Sequence, residues 1–446
     1  MPDNILLVHG YSARSLDYYG GLPSLLTNDG YAIENIYLSA YDSLNDDITC
    51  DDLANALEVR VSQLEASGLD ITKTALIVHS TGAIVARRWI LNRYKKNERL
   101  PSHFISLAGA NHGSSLAQLG NMQLVHLYRG LLGTSVGAEV LQDLDYGSEF
   151  LLQLSEDWLD AFISPQPPKI FCFALSGADH SALDYQLFWQ THEDGSDAIV
   201  RISSGNLNYN ILSIDQNDAS PKLTSKLAPS STALFPHLVL DGVSHIGANG
   251  IMGGNAATMQ IVYPEIKSAL SVTDATSYQS IQNSWSTRTA GSSGWNNNNS
   301  SQCNSTIVFS LKHPGGRSVQ DSLILIKDGS PDENQALANV GKSIEPHQPI
   351  QNNVTPSSVS FYVNYPQFTA TYPHTVSIEI KSGCDEIVYP PVLYSVPAGD
   401  IGCIQPNQFT YVKVTLKRES AGTYSIIPVS QNQDIHKQWP PLPQAN

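Results

Sequence analysis

Residues 75–90 read Ala-Leu-Ile-Val-His-Ser-Thr-Gly-Ala-Ile-Val-Ala-Arg-Arg-Trp-Ile. An apolar run stops at Ser80 and passes at once into a helical pattern. A buried strand that ends this way lifts the Ser hydroxyl onto a tight strand-to-helix turn, the nucleophile elbow. Small residues are expected beside such a Ser because strand and helix crowd together there. Gly82 meets that need on the far side, while Val78 stands where Gly is common. An ordinary helix N-cap is the competing reading, because Ser is favoured there too.

A second element supports the elbow. The first apolar run, residues 4–8, ends in His9-Gly10-Tyr11. Acyl transfer needs backbone N–H groups aimed at a developing oxyanion. The N–H groups of Tyr11 and Thr81 are suited to form that pair, with Gly10 shaping the turn. A Ser hydroxyl also needs a base, and the base needs an acid to orient it. Of 13 His, His245 is the best placed, following the last strand of the apolar series. His79 sits beside the nucleophile but is expected to point away from it. His112, in Ala-Asn-His-Gly-Ser (110–114), is expected to shape the pocket floor. His180 and His192 are weaker. The acid candidates are Asp179, Asp194 and Asp197. Asp197 is favoured because residues 199–202 restart an ordered run just after it. The chain order Ser80, Asp197, His245 is the one this fold uses.

Working outward, short apolar runs alternate with helical patterns through residue 270. The expected strands cover 4–8, 74–78, 103–107, 169–175 and 236–241, with a helix over 50–66. This predicts a mostly parallel sheet wrapped by helices. A Leu-rich helical insertion, 115–163, reads either as a cap over the site or as extra core helices. Residues 271–303 are rich in Ser, Asn and Gly and read as a linker. Runs of period two then cover 305–312, 322–327, 359–365, 375–381, 409–417 and 423–429, predicting an all-β, sandwich-like domain over 304–446. The tail, from Trp439, reads as extended.

Composition narrows the function classes. The chain carries 41 acidic and 25 basic residues, a net charge of −16, which argues against a nucleic-acid partner. Residues 1–270 hold 29 of the acidic and 15 of the basic groups. One basic cluster, Arg87, Arg88, Arg93, Lys95, Lys96 and Arg99, follows the elbow; helix-dipole matching on a solvated face is favoured over lipid contact as its explanation. Five Cys make no disulfide framework and no zinc spacing; Cys384 and Cys403 are the nearest pair, and reduced thiols are expected. No cofactor or metal is expected. No secretory signal or membrane-spanning run is read in the sequence, so membrane contact is expected to be peripheral. Tyr362, Tyr365, Tyr411 and Trp439 are residues of the interfacial type.

Residues 1–270 resemble the bacterial lipase-type α/β-hydrolases. Ser196-Asp197-Ala198-Ile199-Val200 stands where that family has Asn-Asp-Gly-x-Val around its acid. Residues 144–151 are similar to a Leu-x-x-Gly-Ser-x-Phe-Leu segment of lipase caps. Residues 110–114 are similar to its Pro-His-x-Gly-Ser. The His-Ser-Thr-Gly elbow and the appended β-rich domain further resemble the PlaB-type phospholipases A. Val78 replaces the Thr with which that family's elbow begins. The resemblance implies a Ser80–Asp197–His245 triad and hydrolysis of phospholipids and lysophospholipids. It also implies peripheral membrane association, at the outer membrane or cell surface of a bacterium, and self-association into dimers or tetramers. Read without the resemblance, the location would be cytoplasmic, and a soluble carboxylesterase or a triacylglycerol lipase would use the same triad.

Overall fold

The computed structural model describes residues 1–11, 16–114, 117, 137–162, 169–179, 195–216, 223–227, 235–292, 305–319, 322–344, 350–351, 355, 357–370, 375–380, 392–395 and 404–417. His180, His192, Asp194, Cys384, Cys403, Trp439 and the expected strand 423–429 lie outside the described residues.

Six parallel strands form the first sheet: β1 (Asn4–Val8), β2 (Ile36–Leu38), β3 (Thr74–His79), β4 (His103–Leu107), β5 (Phe171–Gly177) and β8 (His237–Leu240), in the order β2-β1-β3-β4-β5-β8. β1, β3, β4 and β8 are buried at every position. Their near-continuous apolar sequences follow from burial on both faces. One face packs on α2 (Cys50–Ala66), α3 (Gly82–Lys95) and α5 (Glu149–Phe162). The other packs on α1 (Leu22–Asn28), α6 (Ala256–Leu270) and α7 (Ala275–Gly291).

The second sheet joins the middle of the chain to its C-terminal part. Its order is β11-β12-β9-β15-β6-β7, from β6 (Tyr209–Gln216), β7 (Leu223–Leu227), β9 (Ser305–Lys312), β11 (Ile350–Gln351), β12 (Ser358–Val363) and β15 (Phe409–Thr415). β6, from within the first 270 residues, pairs in parallel with β15, with Tyr209 opposite Phe409. Side chains alternate across this sheet as the strand period requires. Tyr209, Ile211, Val308, Tyr362, Phe409 and Tyr411 face the core that holds α3 and α5. Leu212, Ile214, Ile307, Phe309, Phe361 and Val412 face a separate core shared with a third sheet. That sheet is β10 (Ser322–Lys327), β13 (Thr375–Ile380) and β14 (Val392–Ser395), in the order β10-β13-β14, and α8 (Glu333–Gly341) contributes Val340 to the same core. The two stacked sheets give the sandwich-like C-terminal part.

Several expectations need correction. The first half of the expected linker is helix α7, opened by a capping box between Asp274 and Ser277. Its Tyr278 and Trp285 are buried, and the Tyr278 hydroxyl donates to the Cys172 carbonyl at 2.7 Å. Of the Leu-rich insertion, α4 (Ala138–Asp143) and α5 are described, and α5 buries Leu151, Leu154 and Trp158 in the core. This part behaves as core helices, not as a groove-forming cap. The basic cluster is largely neutralised: Arg88 bonds Asp51, Arg93 bonds Glu58 and Glu65, Lys95 bonds Asp157 and Arg99 bonds Glu65. Arg87 is wholly buried over the Trp158 ring. Tyr362 and Tyr411 are core residues with 0% and 1% exposure, so neither offers a membrane-facing ring.

Candidate active site

β3 delivers Ser80 at φ 54°, a left-handed backbone that a non-glycine residue adopts only under constraint. The constraint is visible. Ser80 N–H donates to Leu107 O at 3.3 Å, and its own carbonyl accepts from Ala83 and Ala110 N–H at 3.0 and 3.1 Å. α3 then begins at Gly82, where a Cβ would lie 2.4 Å from the His9 carbonyl oxygen. Only glycine lets the end of β1 approach that closely.

Ser80, Asp197 and His245 come together. His245 Nδ1 lies 2.9 Å from Asp197 Oδ2, and His245 Nε2 lies 3.0 Å from Ser80 Oγ. A carboxylate accepts, so Nδ1 carries the proton and Nε2 is left to accept from the Ser80 hydroxyl. All three are buried. The acid is fixed by its own loop: Asp197 Oδ1 accepts from Ile199 and Val200 N–H at 3.1 and 2.7 Å. That tight turn sets Ala198 at φ 81°, which accounts for the glycine found there in the resembling family. His245 N–H donates to Asp197 O at 3.1 Å.

The His9-Gly10-Tyr11 turn lies against the elbow, Gly10 facing Ser80 itself. His9 is locked from behind. Tyr41 N–H donates to His9 Nε2 at 3.1 Å, the Tyr41 hydroxyl donates to His9 O at 2.7 Å, and the rings stack at 4.0 Å. His9 Nδ1 therefore carries the proton, 2.7 Å from Gly10 O. Burial lowers the His9 pKa, and the neutral ring holds the turn.

The remaining predicted residues fall elsewhere. Asp179 accepts from Asn249 at 3.3 Å. His112 does not form a pocket floor. It is wholly buried between the two large sheets, stacked on Phe409 at 5.0 Å, with Nδ1 3.2 Å from the Tyr411 hydroxyl. The His79 ring packs on that of His245, with ring centres 4.6 Å apart. Tyr18 and Tyr41, which brace the site, carry no motif; Tyr18 lies in a single 3-10 turn, Leu16–Tyr19, and Tyr41 in an irregular segment, where no periodicity marks them. A trough of about 670 Å³ opens between β2 and α2, lined by Leu6, Val8, Leu53, Leu57 and Val61, with Tyr41 in its wall. Among the described residues no cluster of His, Cys, Asp or Glu is arranged to hold a metal.

No protein-family model matches the sequence, and neither does any curated protein. Solved structures do match. Phospholipase PlaB from Legionella pneumophila superposes with a TM-score of 0.81 at 26% identity, covering 97% of this chain and 98% of that one. The chain has a PlaB-type fold. A second PlaB structure, in complex with thio-NAD, matches at 25% identity with the same TM-score of 0.81 over 98% of both chains. The mature lipase BlEst2 of Bacillus licheniformis aligns over 46% of this chain at 17% identity, with a TM-score of 0.36. The PlaB-type match spans the α/β-hydrolase half and the β-rich C-terminal part together.

Proposed function

We propose that this protein is a serine hydrolase of lipid esters, a phospholipase A that also accepts lysophospholipids. The observation that carries the reading is the continuous Ser80–His245–Asp197 hydrogen-bond chain, with links of 3.0 and 2.9 Å. The full-length likeness to a phospholipase directs it toward glycerophospholipid.

In this mechanism Ser80 Oγ attacks the acyl carbonyl while His245 Nε2 takes its proton. Asp197 keeps the imidazole in the required tautomer and stabilises the imidazolium. The Tyr11 and Thr81 N–H groups receive the oxyanion. The glycerol-side oxygen leaves with the proton from His245. Water, deprotonated by the same His, then releases the fatty acid.

The bilayer is approached through peripheral contact. Among the described residues no helix is long and apolar enough to cross a membrane, and Ile246, next to the base, is 36% exposed. Self-association, which the family resemblance implies, belongs to the same proposal.

The test is a substrate panel. Phospholipid and lysophospholipid should release fatty acid faster than triacylglycerol or short-chain esters. The reverse ranking would make the chain a carboxylesterase or triacylglycerol lipase on the same triad.

A further inference from the structure

His245 is held by the elbow itself. The His79 ring lies 4.6 Å from the His245 ring, inclined by 45°. Its Nε2 is 3.2 Å from the carbonyl oxygen of His245. A carbonyl only accepts, so Nε2 carries the His79 proton. Nδ1 is then the acceptor, and the Tyr18 hydroxyl, 3.1 Å away, donates to it. The other backbone group of His245, its N–H, is already bonded to Asp197 O at 3.1 Å. The His245 backbone is thus gripped on both sides, by the acid's loop and by the residue that precedes the nucleophile in sequence.

We propose that His79 is a positioning residue that, backed by Tyr18, fixes the His245 backbone so that its ring stays within reach of Ser80 Oγ. This rests on the reading of Ser80 and His245 as nucleophile and base. It gives the His of the elbow a task of its own. Coupling base to nucleophile through adjacent residues makes their separation independent of the longer loop that follows β8. His79 is not itself a second base, because both its ring nitrogens are engaged, by the His245 carbonyl and the Tyr18 hydroxyl. Its charge state matters too. Burial first, then the nearby His245 and His9, hold the His79 pKa well below the usual histidine range. The ring is therefore neutral, and no second cation opposes the imidazolium that forms on His245.

The test compares His79→Phe, which keeps a ring and loses the donor, with His79→Gln, which returns an N–H near the same position. A tagged fluorophosphonate counts reactive sites, and kcat on lysophospholipid is expressed per labelled site. A positioning role predicts a kcat about 10- to 100-fold lower in His79→Phe, since small misplacements of a reacting group are costly. It also predicts an unchanged KM and recovery of most of the loss in His79→Gln. A merely structural role would reduce the number of labelled sites and leave kcat per site intact, and that result would overturn the proposal. So would a Gln variant as slow as the Phe variant. Absence of labelling in the wild-type protein would instead sink the serine-hydrolase reading, and this proposal with it.

Discussion

Gly10 and Ser80 meet so closely that a Cβ placed on Gly10 would lie 2.5 Å from the Cβ of Ser80 and 3.2 Å from its Oγ. The turn carrying Tyr11 N–H, the proposed oxyanion donor, is therefore set directly by Ser80, the proposed nucleophile. Replacing Gly10 with Ala must push one of them aside. Loss of a single oxyanion donor costs about 10²- to 10³-fold in kcat. Gly10→Ala should show a fall of that order in steady-state hydrolysis, together with a lowered melting temperature, because the added Cβ overpacks a buried contact.

Ala198 occupies φ 81° so that Asp197 can accept from Ile199 and Val200. Glycine adopts that conformation without a Cβ penalty. Ala198→Gly should stabilise the protein by about 0.5–1 kcal/mol while leaving kcat unchanged. A shift of the urea midpoint to higher concentration checks this.

Buried histidines set the acid limit of stability. Burial lowers His103 from its ordinary 6.5 to about 4 and His237 to about 3. The folded state thus favours the neutral rings, and the unfolded chain binds more protons below pH 6.5. Stability is fully present above pH 6.5 and is lost as pH falls toward 4. Each such group contributes a slope of about 1.4 kcal/mol per pH unit in that window. Denaturant titrations at pH 7, 6 and 5 should show the fall, and His237→Gln should flatten it.

The two large sheets are joined by direct contacts, several of them through α5. Phe409 stacks on His112 and meets Tyr146 edge-on at 5.5 Å. The Tyr209 hydroxyl donates to Ser155 O in α5 at 2.6 Å, and Lys413 of β15 pairs with Glu156. Phe409→Ala should cost about 3–5 kcal/mol. The fluorescence transition of Trp89 and Trp158, both in the α/β-hydrolase half, should move to lower temperature with the rest. An unmoved Trp transition would mean that the C-terminal sheets fold independently.

Much of this architecture was legible in local pattern. The strands over 4–8, 103–107, 305–312 and 322–327 and the helix over 50–66 have the ends their apolar periodicity indicates. Ser80 and His245 stood out because each follows a buried strand. Pairing over long sequence distance did not show. Nothing near Tyr209 signals that β6 will lie beside Phe409, nor that His112 will be covered by β15. α7 was hidden by its Ser, Thr and Asn, which are weak helix formers. It forms because Asp274 caps it and because Tyr278 and Trp285 find partners in Cys172 and Glu265. The tyrosines bracing the site, Tyr18 and Tyr41, act through contacts with His79 and His9 that no spacing reveals.

The central claim is that Ser80 is an acyl-accepting nucleophile acting on phospholipid. The most direct measurement incubates wild-type protein and Ser80→Ala with a fluorophosphonate and maps the adduct by mass spectrometry, while fatty-acid release from phospholipid vesicles is followed in parallel. The account predicts one adduct, on Ser80, with release abolished by the label and by the substitution. Fatty-acid release that continues unchanged in a folded Ser80→Ala protein would contradict it.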